Sequence, residues 1–274
     1  MSSQMEILDV SKAYSDSKKA LPALQSITFG VDRGEFVCIV GPSGCGKSTL
    51  LKIVAGLERP TSGQVRFEGK PLTSPHEKIS MVFQSFALFP WRTILGNVEY
   101  GLEMQGWPRD KRRGIALECL EMVGLSECEN MYPKQLSGGM KQRVGIARAL
   151  AVDPEIILMD EAFSAIDEFT AETLREEVAE IHRETNKTFL LVTHNLPEAI
   201  ELADRIVVLS ARPGKIKNIL DVELERPRDK ARSDFVQIHK DIFHLLKEEL
   251  ESSIVKHKIS CIHEFQKLHD METK

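Results

Sequence analysis

Aromatic residues and cysteines are scarce in this chain of 274 residues: aromatics make up 6% and there are five cysteines. Cys38, Cys45, Cys119, Cys128 and Cys261 show no paired metal-ligand spacing. That excludes a zinc module or a disulfide framework and implies free thiols in a reducing compartment. No apolar run approaches the ~20 residues that span a bilayer, so a membrane role has to come through a partner. Met1 to Val10 lacks the charged-then-apolar pattern of a secretory signal, and the chain reads as cytosolic. Positive charge is not in excess either. The 36 Lys and Arg against 41 Asp and Glu give a net charge of −5, which argues against a basic duplex-binding surface. There is no internal repeat and no low-complexity stretch. The length suits one large domain with an appendage.

What is present is organised around Gly41-Pro42-Ser43-Gly44-Cys45-Gly46-Lys47-Ser48-Thr49, which fits the G-x-x-x-x-G-K-[ST] spacing of a phosphate-binding loop. The apolar run Phe36 to Val40 before it predicts a strand buried on both faces. The pattern Leu50, Leu51, Ile53, Val54 and Leu57 after it predicts a helix that stops at Pro60. A loop in that setting turns backbone N–H groups inward, and its glycines have no Cβ to hold a phosphate away. The helix start adds a partial positive charge. Lys47 is placed to reach the β- and γ-phosphates, and the Ser48 hydroxyl to ligate Mg²⁺.

Further strands are predicted at Met5–Val10, Ala23–Val31, Gln64–Phe67, Ile79–Phe83, Ile156–Met159, Thr188–Thr193, Arg205–Ser210 and Ile216–Leu224. Three of these, together with the phosphate-loop strand, end on residues that suit nucleotide chemistry. The phosphate-loop strand delivers Gly41 to Thr49, the Ile79 strand ends on Gln84, the Ile156 strand on Asp160-Glu161 and the Thr188 strand on His194. In a parallel sheet such ends share one edge, where the ligand crevice lies. Asp160 can hold Mg²⁺ through water, Gln84 can ligate Mg²⁺ or position a water, and Glu161 can orient or deprotonate the attacking water. Tyr14 is either a flat platform for an adenine ring or an ordinary half-buried aromatic.

From Thr93 to Val152 the periodicity turns helical, with helices at Asn97–Met104, Lys111–Val123 and Met140–Ala151. Ser137 is a good N-cap for the last of these, and Gly138-Gly139 leave the backbone N–H groups bare, making a second anion-binding helix start. Phe86 to Trp91 is an apolar loop: a docking patch, or the packing of a small subdomain. Phe169–Glu184 reads as an amphipathic helix, and Leu196–Leu202 as another. After Pro227 a helical tail puts Phe235, Ile238, Ile242, Leu245 and Leu246 on one face. His257, Cys261, His263 and His269 in the last stretch match no metal-ligand spacing and read as a solvated helix face.

With these residues in view, the chain resembles the ATP-binding subunit of an ABC transporter from about residue 5 to residue 250. The ordered set comprises the aromatic A-loop (Tyr14), Walker A (Gly41 to Thr49), the Q-loop (Gln84) and the signature LSGGM (136–140). Walker B ending in Asp160-Glu161, the D-loop SAID (164–167) and the H-loop His194 complete it. Phe83–Trp91, Leu202–Gly214 and Glu225–Arg228 are similar to the importers of nitrate, sulfonates and taurine. Asn195, Ala162 and Ile166 depart from the commoner aspartate, proline and leucine, and none removes a group with a chemical role.

The resemblance implies an α/β P-loop NTPase fold with a mostly parallel sheet, N-terminal antiparallel strands, a helical insert and C-terminal helices. It implies a RecA-like core at 1–90 and 154–225, a helical subdomain at about 91–153 and an extension at 226–274. It further implies ATP and Mg²⁺ held between two head-to-tail copies, with Lys47 of one copy facing Ser137–Gly139 of the other. Glu161 would serve as base, His194 would hold the γ-phosphate, and Tyr14 would be the adenine platform. Permease subunits, one of whose helices enters the cleft near Gln84 and Phe86 to Trp91, and indirectly an external solute-binding protein would be partners, at the cytoplasmic face of the membrane. Nucleic acid would not be a partner. A soluble ABC-type ATPase acting on nucleic acid or ribosomes is the other class, and it usually carries coiled coils, zinc modules or a second ATPase domain.

Overall fold

The computed structural model describes residues 3–16, 19–247 and 249. Two sheets sandwich the phosphate-loop helix. The first is antiparallel, in the order β2-β1-β4-β5, from β1 (Met5–Asp16), β2 (Lys19–Val31), β4 (Ser62–Phe67) and β5 (Lys70–Pro71). The second has the order β10-β9-β3-β8-β7-β6, from β3 (Phe36–Val40), β6 (Ile79–Val82), β7 (Ile156–Asp160), β8 (Thr188–Thr193), β9 (Arg205–Leu209) and β10 (Ile216–Asp221). Four of its five pairings are parallel, and the edge strand β10 runs antiparallel to β9. The expected mostly parallel sheet with N-terminal antiparallel strands is therefore the fold observed.

The apolar strands are continuous runs because both faces of the second sheet are covered. Successive side chains alternate between two cores. Phe36, Cys38 and Val40 of β3, with Ile157 and Met159 of β7, face the core built by the helices. Val37 and Ile39, with Ile156 and Leu158, face α1 (Lys47–Val54) and the antiparallel sheet. On the first of these cores lie α2 (Ile94–Val98), α3 (Tyr100–Met104), α4 (Arg109–Met122), α5 (Gly138–Ala151), α6 (Glu168–Thr185) and α7 (Leu196–Leu202). A last helix, α8, occupies 233–247 and buries Phe235 and Ile242 against the same core.

Several boundaries differ from expectation. The strand expected to stop at Val10 runs on to Asp16, and its partner starts at Lys19 rather than Ala23. The segment Ser11 to Asp16 lacks a regular apolar alternation, yet its backbone pairs in a ribbon with repeated register shifts. The segment expected as one helix from Asn97 starts earlier, at Ile94, where the Thr93 side chain accepts from Gly96 N, and is split into α2 and α3. The edge strand stops at Asp221 rather than Leu224, because Val222 N turns to the Asp204 carbonyl. His257, Cys261, His263 and His269 lie outside the described residues. Among the described residues no helix is long and apolar enough to cross a membrane.

Candidate functional site

The parallel order β3-β8-β7-β6 puts four C-terminal strand ends side by side. After β3 the chain turns through Gly41 to Gly46 and enters α1 at Lys47. Gly46 caps this helix at φ 105°, and a Cβ there would lie 2.7 Å from Leu24 Cδ2 and 2.9 Å from the Ala23 carbonyl. No L side chain fits both the conformation and the space. Lys47 is buried at 5% exposure, and its ammonium donates to the carbonyls of Gly41 (2.8 Å) and Pro42 (3.2 Å). Cys45 is buried under the loop, and burial pushes its thiol pKa up, so it packs rather than reacts. A cavity of about 280 Å³ opens on the loop between Ser43 and Thr49, with Glu161 and Arg212 on its walls.

β7 delivers the two acids. Asp160 Oδ1 accepts from the Ser48 hydroxyl at 2.9 Å. Burial raises the Asp160 pKa, the Ser48 bond opposes this, and the neighbouring Glu161 charge adds to the rise. Glu161 turns out of the strand at φ 45°, the left-handed region that non-glycine residues seldom adopt, with its N–H held by the Val192 carbonyl at 2.9 Å. That turn sends its carboxylate towards the next two strand ends. Gln84 Nε2 donates to Glu161 Oε2 at 3.1 Å and to Ser164 Oγ at 3.2 Å. His194 Nδ1 lies 3.3 Å from the same Glu161 oxygen. The Ser164 hydroxyl closes the group by donating to the Glu161 carbonyl at 2.9 Å.

The structure thus joins Glu161, Gln84 and His194 in one cluster and Ser48 with Asp160 in another. Gln84 is hydrogen-bonded to the first cluster and not to Ser48 or Asp160. Tyr14, near the end of β1, reaches the end of the phosphate loop, with its hydroxyl 3.2 Å from Thr49 Oγ1 and donating to Glu58 at 3.0 Å. Its ring is 40% exposed and carries the Lys12 ammonium 5.1 Å from its centroid.

Ser137 caps α5 by accepting from Met140 N at 3.3 Å. Ser137–Gly139 do not line the phosphate-loop cavity. A Cβ on Gly138 would meet Ala165, Ile166 and Phe86, and one on Gly139 would meet Thr170. The signature residues therefore stand beside this chain's own D-loop and Q-loop.

Three contributors escaped the sequence reading. Arg148 on α5 donates to the carbonyls of Phe86 (3.0 Å) and Ala87 (2.6 Å), two consecutive residues at φ 61° and 48°. It clamps the chain just after Gln84 in a strained shape. Arg212 enters the cavity wall while its Nε donates to the Pro22 carbonyl at 3.1 Å. Ser164 was legible as a D-loop residue, but its bonds to Glu161 and Gln84 were not.

Comparison with known proteins shows the family. The sequence profile of the ABC transporter family matches residues 24–164, more than half of the chain. An uncharacterized ABC transporter ATP-binding protein of Methanocaldococcus jannaschii is 46% identical over 254 residues, covering 93% of this chain and 95% of that protein. A nitrate import ATP-binding protein of Synechocystis sp. is 42% identical over 252 residues, covering 89% of this chain and 95% of that one. Among solved structures, the dimeric post-hydrolysis state of an ATP-binding cassette bound to ADP and Pi superposes with a TM-score of 0.73 at 36% identity, covering 81% of this chain and all 100% of that one. The chain belongs to the ABC transporter family and is one of its ATP-binding, ATP-hydrolysing members.

Proposed function

We propose that this chain works as a pair of copies that bind two ATP molecules between them and drive import through separate membrane-spanning subunits. The observation that carries this reading is the separation, within one chain, of two anion-binding helix starts. Lys47 and the loop Gly41 to Thr49 lie at the sheet edge, while Ser137–Gly139 lie beside Phe86, Ala165, Ile166 and Thr170. A γ-phosphate touching both needs the second copy, so neither site is complete alone.

In each site Gly41, Pro42, Ser43, Gly44, Cys45 and Gly46 present backbone to the phosphates, Lys47 supplies the counter-charge, and Thr49 and Tyr14 border the adenine end. Ser48, Gln84 and Asp160, the last through water, are a hard-oxygen donor set that suits Mg²⁺, and the 2.9 Å bond between Ser48 and Asp160 keeps two of them together. Bound there, the cation neutralises phosphate charge. Glu161 takes the proton of the attacking water, and His194, held beside Glu161, contacts the γ-phosphate. Gln84 ties the base to the segment Phe86–Trp91, where Trp91 is 72% exposed and positioned to meet a membrane partner. The RecA-like core is taken as 1–90 and 154–225, with the helical subdomain at about 91–153 moving against it and 226–274 an extension.

The solute is a small anion or zwitterion of the nitrate, sulfonate or taurine kind. The 42% identity to a nitrate importer's subunit and the segments around Phe83–Trp91 and Leu202–Gly214 support this. An external binding protein delivers the solute, and the ATPase pair sits peripherally on the cytoplasmic face of the plasma membrane. The test is to tag the chain in its own cell and solubilise membranes gently. A polytopic membrane protein in about equal amount is the expected partner, and ribosomes, DNA or no partner would overturn the transport reading.

A further inference from the structure

Two charged side chains that nucleotide chemistry leaves unused are among the most buried in the molecule. Arg175 on α6 is 2% exposed and Glu198 on α7 is 4% exposed. Arg175 Nε donates to Glu201 at 3.0 Å and Nη2 to Glu168 at 2.8 Å, but Nη1 has no protein partner. Glu198 Oε1 has none either. Both residues line one pocket of about 200 Å³, together with Ser164, Thr193 and His194. A buried donor and a buried acceptor cost roughly 1–3 kcal/mol each when left unmade. The pocket is polar, and at about 30 Å³ per water it has room for several.

Glu198 also holds the turn that carries His194. Asn195 N donates to Thr193 Oγ1 at 3.0 Å, and Glu198 N donates to Asn195 Oδ1 at 3.2 Å. The Thr193 hydroxyl opposes the rise of the Glu198 carboxyl pKa, and both residues line the same pocket. Glu198 therefore adjoins the chain on both sides of His194, Thr193 through its carboxyl and Asn195 through its backbone N–H.

We propose that this pocket is a water site in which Arg175 and Glu198 hold ordered water against the His194 turn, and that Glu198 is the positioning residue for His194. The proposal rests on the role assigned above to His194. Burial pushes the Glu198 pKa up to about 7, opposed by the Thr193 hydroxyl and the Arg175 charge and helped by Glu201 and Glu168. The remaining titratable neighbours are His194 across the pocket, Cys38 on β3, whose thiol is itself pushed up by burial and by Glu198, and Lys230, 3.6 Å from Glu201. Below about 7 the carboxyl is neutral; above it, the carboxylate accepts from water that also meets Arg175 Nη1, and the His194 turn tightens.

Glu198→Gln in the full chain fixes the neutral state without changing shape. Wild-type ATP turnover is expected to rise with pH through about 7. The variant should stay within about twofold of wild type at low pH and fall about tenfold behind at high pH, with KM for ATP unchanged. Equal loss on both sides of neutrality, or superimposable pH profiles, would overturn the proposal. A second readout needs no turnover: the His194 ring resonance, followed by NMR, should show an inflection from Glu198 near neutrality that vanishes in Glu198→Gln. Identical titrations in the two proteins, or a crystal structure with a dry pocket, also refute it. Should the wild type hydrolyse no ATP at any pH, the nucleotide site is misread, and the NMR comparison still decides the case of Glu198.

Discussion

Lys47 is a buried ammonium that gives two of its three N–H donors to carbonyls of its own loop, Gly41 and Pro42. An ion held that way is only partly compensated, since a buried charge without a counter-ion costs several kcal/mol. In the proposed site an incoming phosphate would supply the missing charge. Lys47→Ala should therefore lower ATP hydrolysis by about 100-fold or more, read as phosphate release, and unchanged turnover would remove the loop from the chemistry. Arg212 makes a contrasting case on the same cavity, because it lies on the wall and its Nε is fixed by Pro22. In the proposed site it would meet nucleotide without taking part in the reaction. For Arg212→Ala we expect about a five- to tenfold rise in the ATP dissociation constant by calorimetry, the loss of one charge-assisted bond, with kcat little changed. Equal affinities in the two proteins would place Arg212 outside the site.

At the scale of elements, the fold has two separate helix starts that bare N–H groups, α1 at Lys47 and α5 at Gly138, and the second is set against the D-loop. Ser137→Arg loses the N-cap, worth about 1 kcal/mol, yet α5 is anchored by buried Val144, Ile146 and Ala147 and should persist. Hydrolysis should collapse while ATP affinity of the single chain stays within about twofold, because the damage falls on the other copy's site. Parallel loss of affinity would argue against a shared site. The strand ends were legible because β3, β7 and β8 are unbroken apolar runs, and whatever polar residue follows them must sit at the sheet edge. The ribbon of β1 and β2 was only half legible, since its outer part pairs with repeated register shifts that break the two-residue period. Arg148 on Phe86 and Ala87, Arg212 beside the loop and Glu198 against Arg175 were illegible for one reason. Each is a contact between residues far apart in the chain, and a side chain that bonds to a distant carbonyl or a pocket leaves no period behind.

At the scale of the molecule, one cluster closes within the chain while the two helix starts stay apart. Glu161, Gln84, His194 and Ser164 form a closed group of hydrogen bonds and short contacts, whereas Ser137–Gly139 lie beside Phe86, Ala165, Ile166 and Thr170 and do not line the phosphate-loop cavity. In the proposed pair ATP would be the adhesive between two copies, and its cleavage would separate them. Gln84 links Glu161 to the strained, Arg148-clamped segment that ends at Trp91, which in the proposed assembly would give closure of the pair a route to the membrane partner. Glu161→Gln keeps the size of the side chain and its place beside Gln84 but removes the base. It should bind ATP as wild type does, hydrolyse it at least about 100-fold more slowly, and accumulate as a dimer on size exclusion in the presence of ATP and Mg²⁺. Adding the membrane subunits should stabilise that dimer further. A variant that stays monomeric with ATP, even in their presence, would mean that the two helix starts never meet across copies. The separation of Lys47 from Ser137 would then need closure within one chain.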